Sequence, residues 1–192
     1  MATDLQPRPF AFDAAHRYTI EEYYRLVEEG LLEEDARVEL LDGKIIPMSP
    51  VGPRHEGVLF RLNQAIAGQA RGRFQMDKAT PLPIPDHNEP QPDLMLFRVG
   101  AVSDEHHVQP ADVFLVVEVA DSTRTRDLGY KADLYRRAEV AEYWVLDVRH
   151  QCLRVFTLSG DRYETTIVRQ GSLSPQTLPG VQIDVGALFG GV

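Results

Sequence analysis

The sequence predicts an α/β (α+β) domain, a mixed β-sheet with helices on its faces. Three observations carry this. Segments with helical apolar spacing alternate with segments rich in branched and apolar residues. Val113 to Val119 is apolar on both sides but for one acid, as a strand buried in mid-sheet should be. A chain of 192 residues, 43% hydrophobic and 26% charged, has material for one core and little more.

Residues 1–17, with Pro7 and Pro9, read as a loose arm. A single domain is expected over 18–192. Thr19-Ile20-Glu21-Glu22 is a capping box, and Ile20, Tyr23, Tyr24 and Val27 follow at helical spacing until Gly30, which predicts a helix over about 19–29. Arg37 to Leu41 and Lys44 to Met48 flank Asp42-Gly43, a dipeptide suited to the positive φ angles of a two-residue hairpin turn. Val58, Leu59, Leu62, Ala65, Ile66 and Gln69 trace one stripe of a second helix between His55 and Ala70, ended by Gly72. A short strand near Phe74 to Met76 precedes a loop with Pro81, Pro83, Pro85, Pro90 and Pro92, too rich in proline for an interior strand. Asp93 to Phe97 and Val113 to Val119 are the central strands. Leu128, Ala132 and Tyr135 mark a helix over about 127–138, and Tyr143 to Val148 reads as another buried strand. Leu153 to Leu158 and Tyr163 to Val168, joined through Ser159-Gly160, form a C-terminal β-hairpin extension. The apolar end, Val181 to Val192, is either a dimer interface or a tail packed on its own core.

Composition excludes several classes. The longest unbroken apolar run, Val113 to Val117, is far too short for a membrane span, and the first ten residues lack a signal-peptide core, so a cytoplasmic protein is expected. One cysteine, Cys152, excludes an internal disulfide and a cysteine-cluster zinc site; it reads as a core thiol. The net charge of -9 argues against a surface coated for nucleic acid. That charge is uneven: residues 1–42 hold eleven acids and four bases, whereas 124–137 hold five bases and two acids. A polyanion could be accepted locally. There is no glycine-rich phosphate loop, no Gly-x-Ser-x-Gly elbow and no His-Glu-x-x-His. His106-His107 beside Asp104-Glu105 reads as a solvated loop.

The informative residues are acids in apolar surroundings. Glu118 interrupts the central strand, and burying even an uncharged polar group without a partner costs roughly 2 to 7 kcal/mol. If the two central strands pair antiparallel, Asp93 and Glu118 meet at one sheet edge. Two carboxylates that close need a shared proton, a cationic side chain or a divalent metal ion. Lys131 lies on or beside the buried stripe of the following helix, its alternative being an exposed ion pair with Asp127. Glu39 alternates with apolar neighbours on the early hairpin, its alternative being the solvent face of that strand. Together Glu39, Asp93, Glu118 and Lys131 have the composition of a magnesium site for phosphodiester hydrolysis. His55 would touch phosphate or merely cap its helix.

The segments Arg37-Val38-Glu39-Leu40-Leu41-Asp42-Gly43, Pro92-Asp93, Val117-Glu118-Val119-Ala120-Asp121-Ser122-Thr123, Asp127 with Lys131 and Tyr135, and Glu142-Tyr143-Trp144-Val145-Leu146-Asp147 resemble the Uma-type branch of the PD-(D/E)XK restriction-endonuclease-like superfamily. The resemblance spans about Tyr18 to Val148. It implies a restriction-endonuclease-like mixed central sheet flanked by helices and a Mg2+-dependent endonuclease acting on DNA, with Mn2+ as a substitute cation. By position it implies Asp93 and Glu118 as metal-binding acids, the Val119 carbonyl as a further ligand and Glu39 as an accessory acid. The superfamily motif would place its lysine at 120, where this chain has Ala120; the counterpart is Lys131. Glu139 stands where relatives tend to have glycine. A homodimer is compatible with this reading. The competing readings are a binding or assembly protein in which the acids and Lys131 satisfy one another, and a hydrolase of RNA or a small nucleotide.

Overall fold

A computed structural model describes residues 13, 15–104 and 106–190. Most of the expected arm, 1–12 and 14, lies outside the described residues, as do Glu105 of the polar loop and the last two residues of the apolar end. The chain divides into two compact units, one holding residues up to Met48 with Ile84–Pro90, the other Ser49–Pro83 with Gln91 onward.

In the first unit, helix α1 (Ile20–Glu28) starts where the capping box places it: Glu22 N–H donates to Thr19 Oγ1 at 3.2 Å and Thr19 N–H to Glu22 Oε2 at 2.9 Å. Strands β1 (Val38–Leu41) and β2 (Lys44–Pro47) form the expected hairpin, and the turn residues Asp42 and Gly43 have φ of 51° and 74°. The hairpin is held from the side by Ile84–Pro90. Asp42 N–H donates to Asn88 Oδ1 at 2.8 Å, and Leu40 bridges Glu89. Tyr18, Tyr23, Leu26, Leu32, Val38 and Leu40 make the small core.

The second unit is built on a six-stranded sheet flanked by helices. Helix α2 (Pro53–Ala67) is followed by β3 (Gln75–Asp77), β4 (Leu94–Phe97) and β5 (Val113–Ala120). A helical segment follows in three parts, α3 (Arg124–Arg126), a π-turn (Asp127–Lys131) and α4 (Ala132–Arg137). Then come β6 (Glu142–Asp147), β7 (Cys152–Ser159), β8 (Arg162–Val168), the short pair β9 (Ser172–Leu173) and β10 (Ile183–Asp184), and α5 (Val185–Leu188). The sheet order is β3-β4-β5-β6-β7-β8, with β5 and β6 parallel and the other neighbours antiparallel. One face of β5 and β6, with Leu115, Val117, Val119, Trp144 and Leu146, packs with Val58, Leu62 and Ile66 of α2. Glu118, Tyr143 and Val145 alternate onto the other face.

Two helix boundaries differ from the sequence reading. Helix α2 stops at Ala67 because Gly68, not Gly72, caps it. The segment expected as a helix over 127–138 begins at Arg124 and winds through the π-turn, which apolar spacing does not reveal. Val181, Ile183, Val185 and Leu188 are buried in the unit's own core, so the apolar end packs inward through α5. Cys152 is fully buried, as expected of a core thiol. Glu139, at φ 56°, follows the helical segment in the left-handed conformation that a helix C-terminus usually gives to glycine. Among the described residues no helix is long and apolar enough to cross a membrane.

Candidate active site

Asp93 precedes β4 by one residue. The β4/β5 ladder pairs Leu94 with Val117, Met95 with Val116 and Leu96 with Leu115, and one further step of that register sets Asp93 across from Glu118. The Asp93 carboxylate is tied to β5 directly. Its Oδ2 accepts the Val119 N–H at 2.7 Å and lies 3.0 Å from His55 Nε2, in the first turn of α2. Among the described residues Oδ1 has no hydrogen-bond partner, and the side chain is 19% exposed.

Glu118, 4% exposed, receives two donors on Oε1: Lys131 Nζ at 2.8 Å and Tyr135 O–H at 3.1 Å. Lys131 is itself 2% exposed, so the expected inward lysine is present and the alternative of an exposed pair with Asp127 is not. The π-turn explains how. Its wider winding turns both Asp127 and Lys131, four residues apart, toward the sheet, while Tyr135 on the next turn remains buried beside them. Tyr143 from β6 donates its O–H to the Asp127 carbonyl at 3.0 Å, and its ring contacts Tyr135 at 4.9 Å between centroids.

The electrostatics follow from this burial. Desolvation raises the Asp127 carboxyl to about 6, against the opposing charge of Lys131, a 2.5 Å hydrogen bond from Thr123 Oγ1 and the charge of Arg126. For His55, burial alone would lower the imidazole. The hydrogen bond and charge of Asp93, joined by Glu56 and Asp127, outweigh it, and the pKa ends above its ordinary value. His55 Nδ1 is buried and makes no hydrogen bond. Tyr143 is raised well above 10 by burial and by the charges of Glu118, Asp127 and Asp93.

Glu39 belongs to the first unit, on β1, where it is 1% exposed, and not on a solvent face. Its charge, after burial and after Glu89, helps push Tyr23 up to about 12. The expected residues therefore fall as Asp93, Glu118, Val119 and Lys131 in the second unit and Glu39 in the first.

The oxygen-rich donor set fits magnesium better than a metal that needs an all-protein cage. Among the described residues no three His, Cys, Asp or Glu side chains are grouped to hold a metal ion. Magnesium commonly takes only one or two carboxylates and completes its shell with water and substrate phosphate. Asp93, with Oδ1 open, and Glu118 across from it supply that number, and the Val119 carbonyl is an oxygen of the same hard type.

Sequence reasoning undervalued His55, whose bond to Asp93 spans 38 residues of chain and leaves no local pattern. Asp147 was also missed as a charge centre, because a buried acid at a strand end gives the same pattern as an exposed one. A family model described as "Uma2: Putative restriction endonuclease" matches residues 20–186. The chain belongs to the Uma2 family. The Uma2 match takes in Glu39, Asp93, Glu118 and Lys131 alike. The mixed sheet between helices is also similar to a crystal structure from Anabaena variabilis described as "a putative nuclease belonging to DUF820", with a TM-score of 0.72 and 14% sequence identity over 89% of this chain and 97% of that one. At that identity the likeness concerns the fold. No curated protein matches this chain.

Proposed function

We propose that this Uma2 protein is a magnesium-dependent endonuclease that hydrolyses phosphodiester bonds of DNA. The observation that carries the reading is the Asp93 carboxylate, just ahead of β4, accepting the Val119 N–H of β5 at 2.7 Å next to Glu118, whose Oε1 takes the Lys131 ammonium at 2.8 Å. Asp93, Glu118 and the Val119 carbonyl would hold the cation. Bound there, magnesium would lower the pKa of a coordinated water and neutralise charge on the phosphoryl oxygens. Asp93 is kept in place through Oδ2 by the Val119 N–H and by His55, which leaves Oδ1 for a cation. Tyr135 and Lys131 fix Glu118, and the Lys131 ammonium would supply positive charge where the pentacovalent phosphorane-like transition state gathers negative charge. Asp127, held by Thr123, keeps the π-turn and with it the lysine in position. Mn2+ would substitute for Mg2+.

A second reading has support in the same contacts. The Glu118 charge is already compensated by Lys131 and Tyr135, as in a buried network of a binding or assembly protein. Calorimetric titration with Mg2+ and Mn2+ separates the two. The nuclease reading expects binding in the wild type and its loss in Asp93→Ala; a wild type that takes up neither ion supports the network. Incubating labelled DNA, RNA and a cyclic dinucleotide with the Mn2+-loaded protein then tests the substrate, with DNA expected to be cut fastest.

A further inference from the structure

We propose that Arg124 and Arg154, held on the buried carboxylate of Asp147, form a fork that grips a backbone phosphate of the nucleic-acid strand beside the bond cut at Asp93 and Glu118. The nuclease reading supplies its substrate class; the fork itself is argued from other contacts.

Asp147 ends β6 and pairs with Ala120, two residues beyond Glu118 on β5. Paired residues of parallel strands share a sheet face, as do residues two apart on one strand. Asp147 therefore lies on the Glu118 face, on the order of 8 Å away at Cα from the rise and spacing of strands. One strand of a DNA duplex carries a phosphate every ~3.4 Å of helix axis, so a phosphate near the cut bond lies within reach of this distance. It is also the C-terminal edge of the two parallel strands, where open sheets gather ligands.

The Asp147 side chain is 0% exposed. Its Oδ2 accepts Arg124 Nε at 2.8 Å and Arg154 Nε at 3.4 Å, while Oδ1 accepts the His150 backbone N–H at 3.2 Å and lies 2.8 Å from His150 Nδ1. One arginine and the His150 contacts would satisfy a buried carboxylate. A second arginine leaves surplus positive charge at the edge of an acidic protein. Each guanidinium spends Nε on Asp147, and among the described residues the terminal nitrogens of both have no hydrogen-bond partner. Their side chains are 35% and 21% exposed, so these nitrogens reach solvent from a fixed base. Two guanidinium groups anchored on one carboxylate suit a phosphate, which accepts paired N–H donors. Arg169 adds to the field, since it acts on the Cys152 thiol together with Arg154 and Arg124. The Arg149–Asp121 pair differs: both partners are well exposed, and one charge cancels one.

The test is anisotropy of a fluorescent DNA duplex, and of one of its strands, in EDTA over a range of salt concentrations. Arg124→Gln and Arg154→Gln should each weaken binding roughly tenfold. Each should also flatten the slope of log K against log salt, by about 0.9 for duplex and about 0.7 for single strand. Arg124→Lys, which retains the charge beside Asp147, should keep the slope yet bind more weakly, and serves if a glutamine variant fails to fold. Asp147→Asn should weaken binding although it removes a negative charge. Unchanged affinity and slope in the arginine variants, or tighter binding by Asp147→Asn, would overturn the fork. The two readings fail separately. A protein that binds through both arginines but cuts nothing with Mn2+ keeps the fork and loses the nuclease; one that cuts while its binding ignores them does the reverse.

Discussion

Lys131 and Asp127 show how one turn of backbone sets the character of two charges. Both are buried, yet they answer to different partners: Lys131 to Glu118, and Asp127 to Thr123. The raised pKa of Asp127 has a definite consequence for stability. A carboxyl that titrates near 6 in the folded chain and near 3.8 when unfolded binds its proton more tightly in the native state. Folding is favoured by this group at low pH, and that contribution is lost as pH rises from about 4 through about 6. Asp127→Asn, which retains an acceptor for Thr123, removes this dependence. The variant should gain on the wild type by roughly 2 kcal/mol between pH 4.5 and pH 7.5, read from paired denaturant melts. A difference that is constant with pH would show that Asp127 stays ionised throughout.

At the scale of elements, two local features can be tested without touching the acids. Glu139 holds a left-handed conformation after α4, at φ 56°, where a side chain is strained and glycine is not. Glu139→Gly should therefore raise stability by about 0.5 to 1 kcal/mol, visible as a higher denaturant midpoint at unchanged slope. Glu142, at the start of β6, is 1% exposed and has a pKa raised by burial against its hydrogen bonds. It accepts Trp144 Nε1–H at 2.7 Å and the Gln176 N–H at 2.7 Å, fastening the segment before β10 to the sheet. Replacing it with glutamine sets a donor against donors. Glu142→Gln should cost about 1 to 3 kcal/mol in a thermal or urea melt.

For the molecule as a whole, a net charge of -9 and a nucleic-acid substrate are compatible if the positive charge is local. Binding should then depend on salt through few contacts. Much of this organisation is legible in the sequence where the cause is local. The capping box at Thr19 and the Asp42-Gly43 turn are short-range hydrogen-bonding and φ preferences, and both stand where the pattern puts them. The approach of Asp93 to Glu118 is legible because an antiparallel pair of apolar strands has one plausible register. The π-turn was not, since a single five-residue turn is too short to set a period of its own. His55 on Asp93 and the two arginines on Asp147 were hidden for another reason: they depend on tertiary contacts between residues far apart in the chain. The short β9–β10 pair escaped because two-residue strands carry no period at all.

Asp93, Glu118 and the lysine of the π-turn are proposed to act together on a phosphodiester. Conversion of supercoiled plasmid to open circles in Mn2+ tests it most directly, with wild type and Lys131→Ala run side by side and their folds verified by circular dichroism. The account predicts nicking by the wild type and at least a hundredfold slower nicking by the variant, the scale of loss expected when a preorganised charge is removed from a transition state. Equal rates for the two proteins, or no nicking by the wild type, would contradict it.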